Sequence, residues 1–367
     1  MAFEEYEKTF VGDAHVHPRE LPTVEFGESL PIYARNYFAV YMLNFEKPLD
    51  ISDPLAACIF LQEYVDEIGE VARLCGNPKH IPLLMPVLND QMTPTALDRF
   101  IAGAEDIRFP LAGFKLFPRG QSTNSGYAPP LDLAVKLIDV VEAHGLPLAL
   151  HLEDPNEPNA SKKEESAIRN ILPKIVYKDG KKNGKRRHLP IIGEHLTDEY
   201  SVREAMRLDL WMTITPHHLV ISQEALGITD PSQAEYILQT KYPYFYCKPI
   251  VQTRKNQEWL RDFWLSGKYG KLMIGTDSAP HTIDKKEANP PKAGIMFGDA
   301  ELAYDLVGPS ASYLVERYSL NACKCYGLNP TPADIEEYKR NRTGPNEDTL
   351  FRVKNGRDEW LKRRGGR

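Results

Sequence analysis

The sequence predicts an α/β protein: a parallel sheet closed into a (β/α)8 barrel, with a metal site on its C-terminal rim. Three observations carry that expectation. Short apolar runs recur eight times along the chain, and helical patterns lie between most of them. Polar residues able to hold metal ions sit where those runs end. The length, 367 residues, suits one barrel with additions.

The first run, Phe10 to His15, leads into Asp13-Ala14-His15-Val16-His17-Pro18-Arg19. Period-two alternation sets His15 and His17 on one face, where two neutral imidazoles can share a divalent ion. An isolated His-x-His is as often a pair of core histidines, so the rest of the chain must supply further ligands. The later runs are Phe38 to Leu43, Ile81 to Val87, Ala112 to Phe117, Leu146 to Leu152, Pro190 to Glu194, Leu208 to Thr215 and Leu272 to Thr276. Helical patterns cover Pro54 to Leu74, Pro94 to Ala104, Leu131 to His144 and Asp198 to Leu208. The competing architecture is an open doubly wound sheet, but no Gly-x-Gly-x-x-Gly follows the first strand. Residues 1–367 thus read as one barrel domain with a helical extension from about residue 328.

Composition narrows the partners. A net charge of −6 gives no hint of nucleic acid and disfavours an anionic membrane. No apolar run is long enough to span a bilayer, and Met1 to Glu7 is acidic, unlike a signal peptide. The five cysteines, Cys58, Cys75, Cys247, Cys323 and Cys325, are odd in number and mostly scattered among apolar residues. That favours a reducing cytoplasmic setting with inert thiols, including Cys323-Lys324-Cys325. The basic, glycine-punctuated Lys178 to His188 reads as a solvated loop, and the basic Val353 to Arg367 as a fraying helical tail. The long insertion Tyr242 to Arg254, between the seventh and eighth strands, is expected to be functional.

Polar residues at the strand ends complete the pattern. Lys115 lies inside the apolar Gly113-Phe114-Lys115-Leu116-Phe117, where a lysine is rare unless paired. His151, His195 and Asp277 each close a run. Together with His15 and His17 they form an inventory large enough for two metal ions, on the rim where such barrels assemble their sites.

The motifs resemble those of the amidohydrolase superfamily, and within it the shorter, bacterial-type dihydroorotase class, from about Gly12 to about Gly327. They are Asp13 to Arg19, Phe114 to Pro118 with Ser122 to Ser125, Leu150 to Glu153, Glu194 to Thr197, Ile214 to Leu219, Tyr246 to Ile250 and Gly275 to His281. The resemblance implies two zinc ions bridged by Lys115 carboxylated to a carbamate. His15, His17 and Asp277 would hold one zinc and His151 and His195 the other, with a bridging hydroxide and Asp277 as the proton-transfer group. It implies a substrate pocket of Arg19, Asn44, Ser122, Thr123, Lys248, His281 and Ala293, with Ser122 where the class is expected to carry threonine and Lys248 where it tends to carry an apolar residue. It also implies a homodimer acting on dihydroorotate and carbamoyl aspartate. The alternatives are another cyclic amidase (hydantoinase, dihydropyrimidinase or allantoinase) and a non-catalytic assembly partner, which should have lost metal ligands.

Overall fold

The computed structural model describes residues 9–19, 30–122, 124–178, 180, 184–295 and 311–341. Eight parallel strands appear in the expected places: β1 (Gly12–Val16), β2 (Phe38–Leu43), β3 (Ile81–Pro86), β4 (Phe114–Leu116), β5 (Leu148–Leu150), β6 (Ile191–Gly193), β7 (Trp211–Ile214) and β8 (Leu272–Ile274). They form two runs, β1-β2-β3 and β4 to β8, each pairing in sequence order. Both seams between the runs are bridged. At one, Ala112 N–H donates to Leu84 O at 2.8 Å and Leu88 N–H to Lys115 O at 2.9 Å. At the other, Asp277 N–H donates to His15 O and His17 N–H to Ser278 O, both at 2.9 Å. The sheet is therefore closed into a barrel, and the second seam ties the first strand to the last.

Helices α1 (Pro54–Leu74), α2 (Pro94–Asp106), α3 (Leu131–Ala143), α4 (Lys163–Asn170), α5 (Leu172–Val176) and α6 (Glu199–Arg207) follow in the chain. After them come α7 (Pro216–Val220), α8 (Ala234–Lys241), α9 (Arg254–Ser266), α10 (Ile283–Lys286), α11 (Ala311–Cys325) and α12 (Pro332–Asn341). Their starts are chemically marked. Asp53 accepts from the N–H groups of Leu55 and Ala56, Thr93 from Ala96, and Asp198 from Ser201, while Pro54 and Pro94 occupy first-turn positions that need no donor. None of the described helices is long and apolar enough to cross a membrane.

Alternation along β2 divides the core. Ala39, Tyr41 and Leu43 pack outward with the helices, whereas Phe38, Val40 and Met42 join Leu83, Met85, Ala149, Ile192 and Met273 in a separate inner cluster. Helix α11 covers the β8–β1 seam: Ser319 Oγ accepts Gly12 N–H at 2.9 Å, and Asn321 donates to Leu272 O at 2.8 Å. Gly275 sits at the same seam because a Cβ there would lie 2.9 Å from the His15 Cβ and 3.0 Å from the Thr213 Cβ.

One expectation is corrected. The basic segment before β6 is not simply a solvated loop: Arg187 is 3% exposed and donates to Asp139 at 2.5 Å and to Glu142 at 2.9 Å. The two carboxylates on α3 make burial of that guanidinium tolerable. The basic tail beyond residue 341 and Thr123 lie outside the described residues.

Candidate metal and substrate site

Five strand ends bring six side chains together. His15 lies in β1 and His17 just beyond it. Lys115 is the middle residue of β4, and His151 and His195 follow β5 and β6. Asp277 arrives from beyond β8. All six are buried, with Asp277 and His17 the most open at 6% and 7%.

Their geometry falls into two groups. His15 Nε2 and His17 Nε2 lie 3.1 Å apart, and each is 3.3 Å from Asp277 Oδ1. His151 Nδ1 and His195 Nε2 also lie 3.1 Å apart. The His15 and His195 rings, 5.3 Å between centroids, join the groups. The structure thus brings His15 and His17 together with Asp277, and His151 together with His195. Two of the inward turns use left-handed backbone, with φ of 41° at His195 and 51° at Asp277. Such conformations are uncommon for residues other than glycine and recur at functional sites.

Burial disfavours the charged form of the basic groups. Chiefly through desolvation, with Lys115 and neighbouring histidines adding to it, His15 and His195 fall well below the ordinary histidine range. His17 and His151 fall as well, opposed by Asp277 and Glu153 respectively. Lys115 falls well below the ordinary lysine range for the same first reason. Neutral imidazoles are the ligating form, and a neutral amine is the nucleophilic form of lysine. Buried polar atoms here, among them His17 Nδ1 and His195 Nδ1, have no hydrogen-bond partner. Such atoms are costly to bury unless something else satisfies them, and a set of nitrogen and carboxylate donors suits zinc-class ions.

Three carboxylates not singled out in the sequence support this cluster. Glu194 contacts Lys115 Nζ and lies 3.0 Å from His15 Nδ1. Glu153 Oε2 lies 2.6 Å from His151 Nε2, which fixes the ring from behind. Asp13 accepts from His15 N–H and Thr276 N–H, both at 3.1 Å, and from the Thr276 hydroxyl at 2.7 Å. All three lie inside quoted motifs, next to or two residues from a histidine, yet spacing alone does not say which way each one turns.

Beside the cluster is a cationic pocket. Arg19, with φ of 71°, donates through Nε to Pro280 O at 2.7 Å, and its Nη2 lies 3.0 Å from His281 Nε2. His281 Nε2 in turn lies 3.0 Å from Ala293 O. Burial, then the Arg19 charge, pulls His281 down to about 2, so it stays neutral. Asn44 is buried, and its carbonyl accepts from Asn124 at 3.1 Å. Ser122 is half-buried, its carbonyl accepting from the Ser125 hydroxyl at 2.7 Å. The Lys248 ammonium reaches Gly120 O at 3.4 Å and Glu235 at 3.6 Å, so it braces the loop that carries Ser122. Arg19 and Ala293 thus both contact His281, while Asn44, Ser122 and Lys248 meet through the loop from Arg119 to Tyr127. Lys286 was missed by sequence reading. It is 5% exposed and donates to Lys292 O at 3.0 Å and Gly294 O at 2.9 Å, with Tyr246 O at 3.4 Å. It therefore pins the Ala293 segment to the strap carrying Cys247 and Lys248.

Cavities open near this rim among the described residues. One of 600 Å3 between Phe45 and Tyr64 holds none of the six clustered side chains, and one of 250 Å3 reaches His151.

A dihydroorotase of Helicobacter pylori is 30% identical over 340 residues, covering 88% of this chain and 86% of its own. This chain belongs to the dihydroorotase family. A dihydroorotase of Escherichia fergusonii is 29% identical over 359 residues, covering 92% of both chains. No protein-family model matches. Among solved structures, Saccharomyces cerevisiae dihydroorotase in complex with 5-fluoroorotic acid superposes with a TM-score of 0.69 at 20% identity, covering 89% of this chain and 86% of its own. A Brevibacillus agri dihydropyrimidinase gives 0.58 at 14% identity, covering 88% and 71%. Both likenesses speak to the barrel fold. Membership of the dihydroorotase family makes the chain a metal-dependent cyclic amidohydrolase.

Proposed function

We propose that the protein interconverts dihydroorotate and carbamoyl aspartate in pyrimidine biosynthesis, using two zinc ions and a carboxylated Lys115. The supporting observation is the contact of Arg19, His281 and Ala293 O beside the buried His/Lys/Asp cluster. A neutral cyclic amide has no need of a guanidinium there, whereas a substrate carboxylate suits one.

His15, His17 and Asp277 would hold one ion and His151 and His195 the other, with Lys115 serving both. Lys115, whose charged form burial disfavours, adds CO2 as the neutral amine and loses a proton, which gives an anion with two oxygens. When bound, the ions supply Lewis-acid polarisation of the scissile carbonyl and acidification of water. Glu153 and Glu194 hold the His151 and His15 rings in place. Arg19 and His281, with Asn44, orient the substrate carboxylate. The loop bearing Ser122 and Thr123, and the main chain at Lys248 and Ala293, enclose the ring. Asp277, reaching the cluster edge and slightly exposed, takes a proton in ring opening and delivers it to the leaving nitrogen. In the cyclisation direction the same group gives the proton back. The reading also carries a cytoplasmic homodimer, to which the five free cysteines and the net charge of −6 are suited.

The test is dihydroorotate hydrolysis by zinc-loaded protein, with hydantoin and dihydrouracil as controls. Arg19→Met should lower kcat/KM for dihydroorotate by roughly tenfold to a few hundredfold, the scale of a lost charge-assisted pair, without changing metal content. Preference for dihydrouracil, with a rate indifferent to Arg19→Met, would instead establish the other cyclic amidase.

A further inference from the structure

A second set of metal-binding side chains gathers beside the rim cluster. His217 and His218 lie on α7, directly after β7, and Cys247 lies on the strap between α8 and α9. They stand about thirty residues apart in sequence, yet their ligand atoms all lie within 4.8 Å of one another. All three are buried, at 0%, 2% and 0% exposure.

His218 is the informative member. Both of its ring nitrogens are buried and neither has a hydrogen-bond partner. A neutral imidazole carries one donor and one acceptor, and leaving each dry costs about 1–3 kcal/mol. A purely structural histidine would find partners for at least one of them. The His217 ring is oriented from the other side, with Thr215 Oγ1 3.3 Å from its Nε2. Cys247 is held by its own strap, its Sγ 3.1 Å from Pro249 O. Two imidazoles and one thiol are the donor set of a zinc-class ion with an open fourth position. Zinc–ligand lengths place such donors about 3.6 Å apart, so closing on an ion needs side-chain movements of about 1 Å.

We propose that His217, His218 and Cys247 form a third metal site, taking a divalent ion of the zinc class, separate from the two-ion cluster of His15, His17, Lys115, His151, His195 and Asp277. Binding breaks the Cys247 S–H bond, releases that proton to solvent, and leaves the thiolate electron pair to bond the ion. The ion ties α7 to the strap carrying Lys248, and so holds one wall of the proposed substrate pocket. The inference goes beyond the dihydroorotase reading and does not depend on it.

Cobalt(II) serves as the probe, because only a cysteine ligand gives a thiolate-to-cobalt charge-transfer band in the near ultraviolet, and the two-ion cluster contains no cysteine. Metal-free protein titrated with cobalt should develop the band. Cys247→Ser should abolish it, His218→Gln should weaken or abolish it, and His15→Asn and Cys323→Ser should keep it. Elemental analysis of zinc-loaded Cys247→Ser should give about one ion per chain fewer than the parent. Far-ultraviolet circular dichroism identifies any variant that has unfolded, and the other variant then decides. A parent protein without the band, or a band that persists in folded Cys247→Ser, overturns the proposal. An inactive protein that still shows the band overturns only the reading of the two-ion cluster.

Discussion

Replacing Asp13 tests whether the strand closure that gathers the His/Lys/Asp cluster depends on one carboxylate. Its oxygens accept from His15 N–H and Thr276 N–H at 3.1 Å and from the Thr276 hydroxyl at 2.7 Å, and all three residues are at most 1% exposed. Asp13→Ala leaves two backbone N–H groups and one hydroxyl with no water to turn to. Each orphaned buried donor costs about 1–3 kcal/mol, and the hydroxyl, free to rotate, belongs at the low end. The expected loss is roughly 3–6 kcal/mol, a large share of the 5–15 kcal/mol that holds a typical domain together. Asp13→Asn keeps one oxygen for both N–H groups and offers its amide to the Thr276 oxygen, so its loss should be about 1 kcal/mol. The assay is urea unfolding of metal-free protein, with Thr276→Val completing a double-mutant cycle whose coupling should be about 1–2 kcal/mol. An alanine variant within about 1 kcal/mol of the parent, or an asparagine variant as damaged as the alanine one, would refute the reasoning.

Two other buried groups give predictions of their own. Glu164, 1% exposed, accepts from Thr197 N–H at 3.0 Å and from its hydroxyl at 2.7 Å. Burial, and then the Asp198 charge, raises its carboxyl well above the glutamate range. A raised folded value means stability present at acid pH and lost as pH climbs through that value. Glu164→Gln should therefore flatten the fall and be no less stable at neutral pH, as read by thermal melts across pH, whereas Glu164→Leu, which orphans Thr197, should lose about 1–3 kcal/mol. Lys286→Met removes the ammonium shared by Lys292 O, Gly294 O and Tyr246 O. It should raise KM for dihydroorotate more than it lowers kcat, because it frees the segment carrying Ala293 without touching the His/Lys/Asp cluster. A fall confined to kcat would count against that role.

The barrel was legible because its strands are buried on both faces and so read as continuous apolar runs. The runs overshoot the ladder: Leu146 to Leu152 reads as a strand, but only Leu148–Leu150 pairs, since burial continues past the last hydrogen bond. The six clustered polar residues stood out because each interrupts or ends an apolar run, where chance rarely puts a histidine or lysine. Glu153, Glu194 and Asp13 did not, because a carboxylate beside a histidine can turn either to the site or to solvent. The meeting of His217 and His218 with Cys247 is purely tertiary, and no local pattern announces it. Arg187 was misread because a basic run looks solvated until the acidic face of α3 is known to lie beneath it.

The seam between β1 and β8 also bears on how the protein is made. His15 and His17 leave the ribosome more than two hundred and fifty residues before Asp277 and the Thr276 that Asp13 grips. Until then the amino-terminal strand has a neighbour on one side only, and its two histidines face no acidic partner from β8. Contacts this distant in sequence are slow to form, and an unpaired strand invites association with other chains while it waits. The proposed metal capture by the His15 group would therefore come among the last events of folding, once β8 has closed the circle of strands.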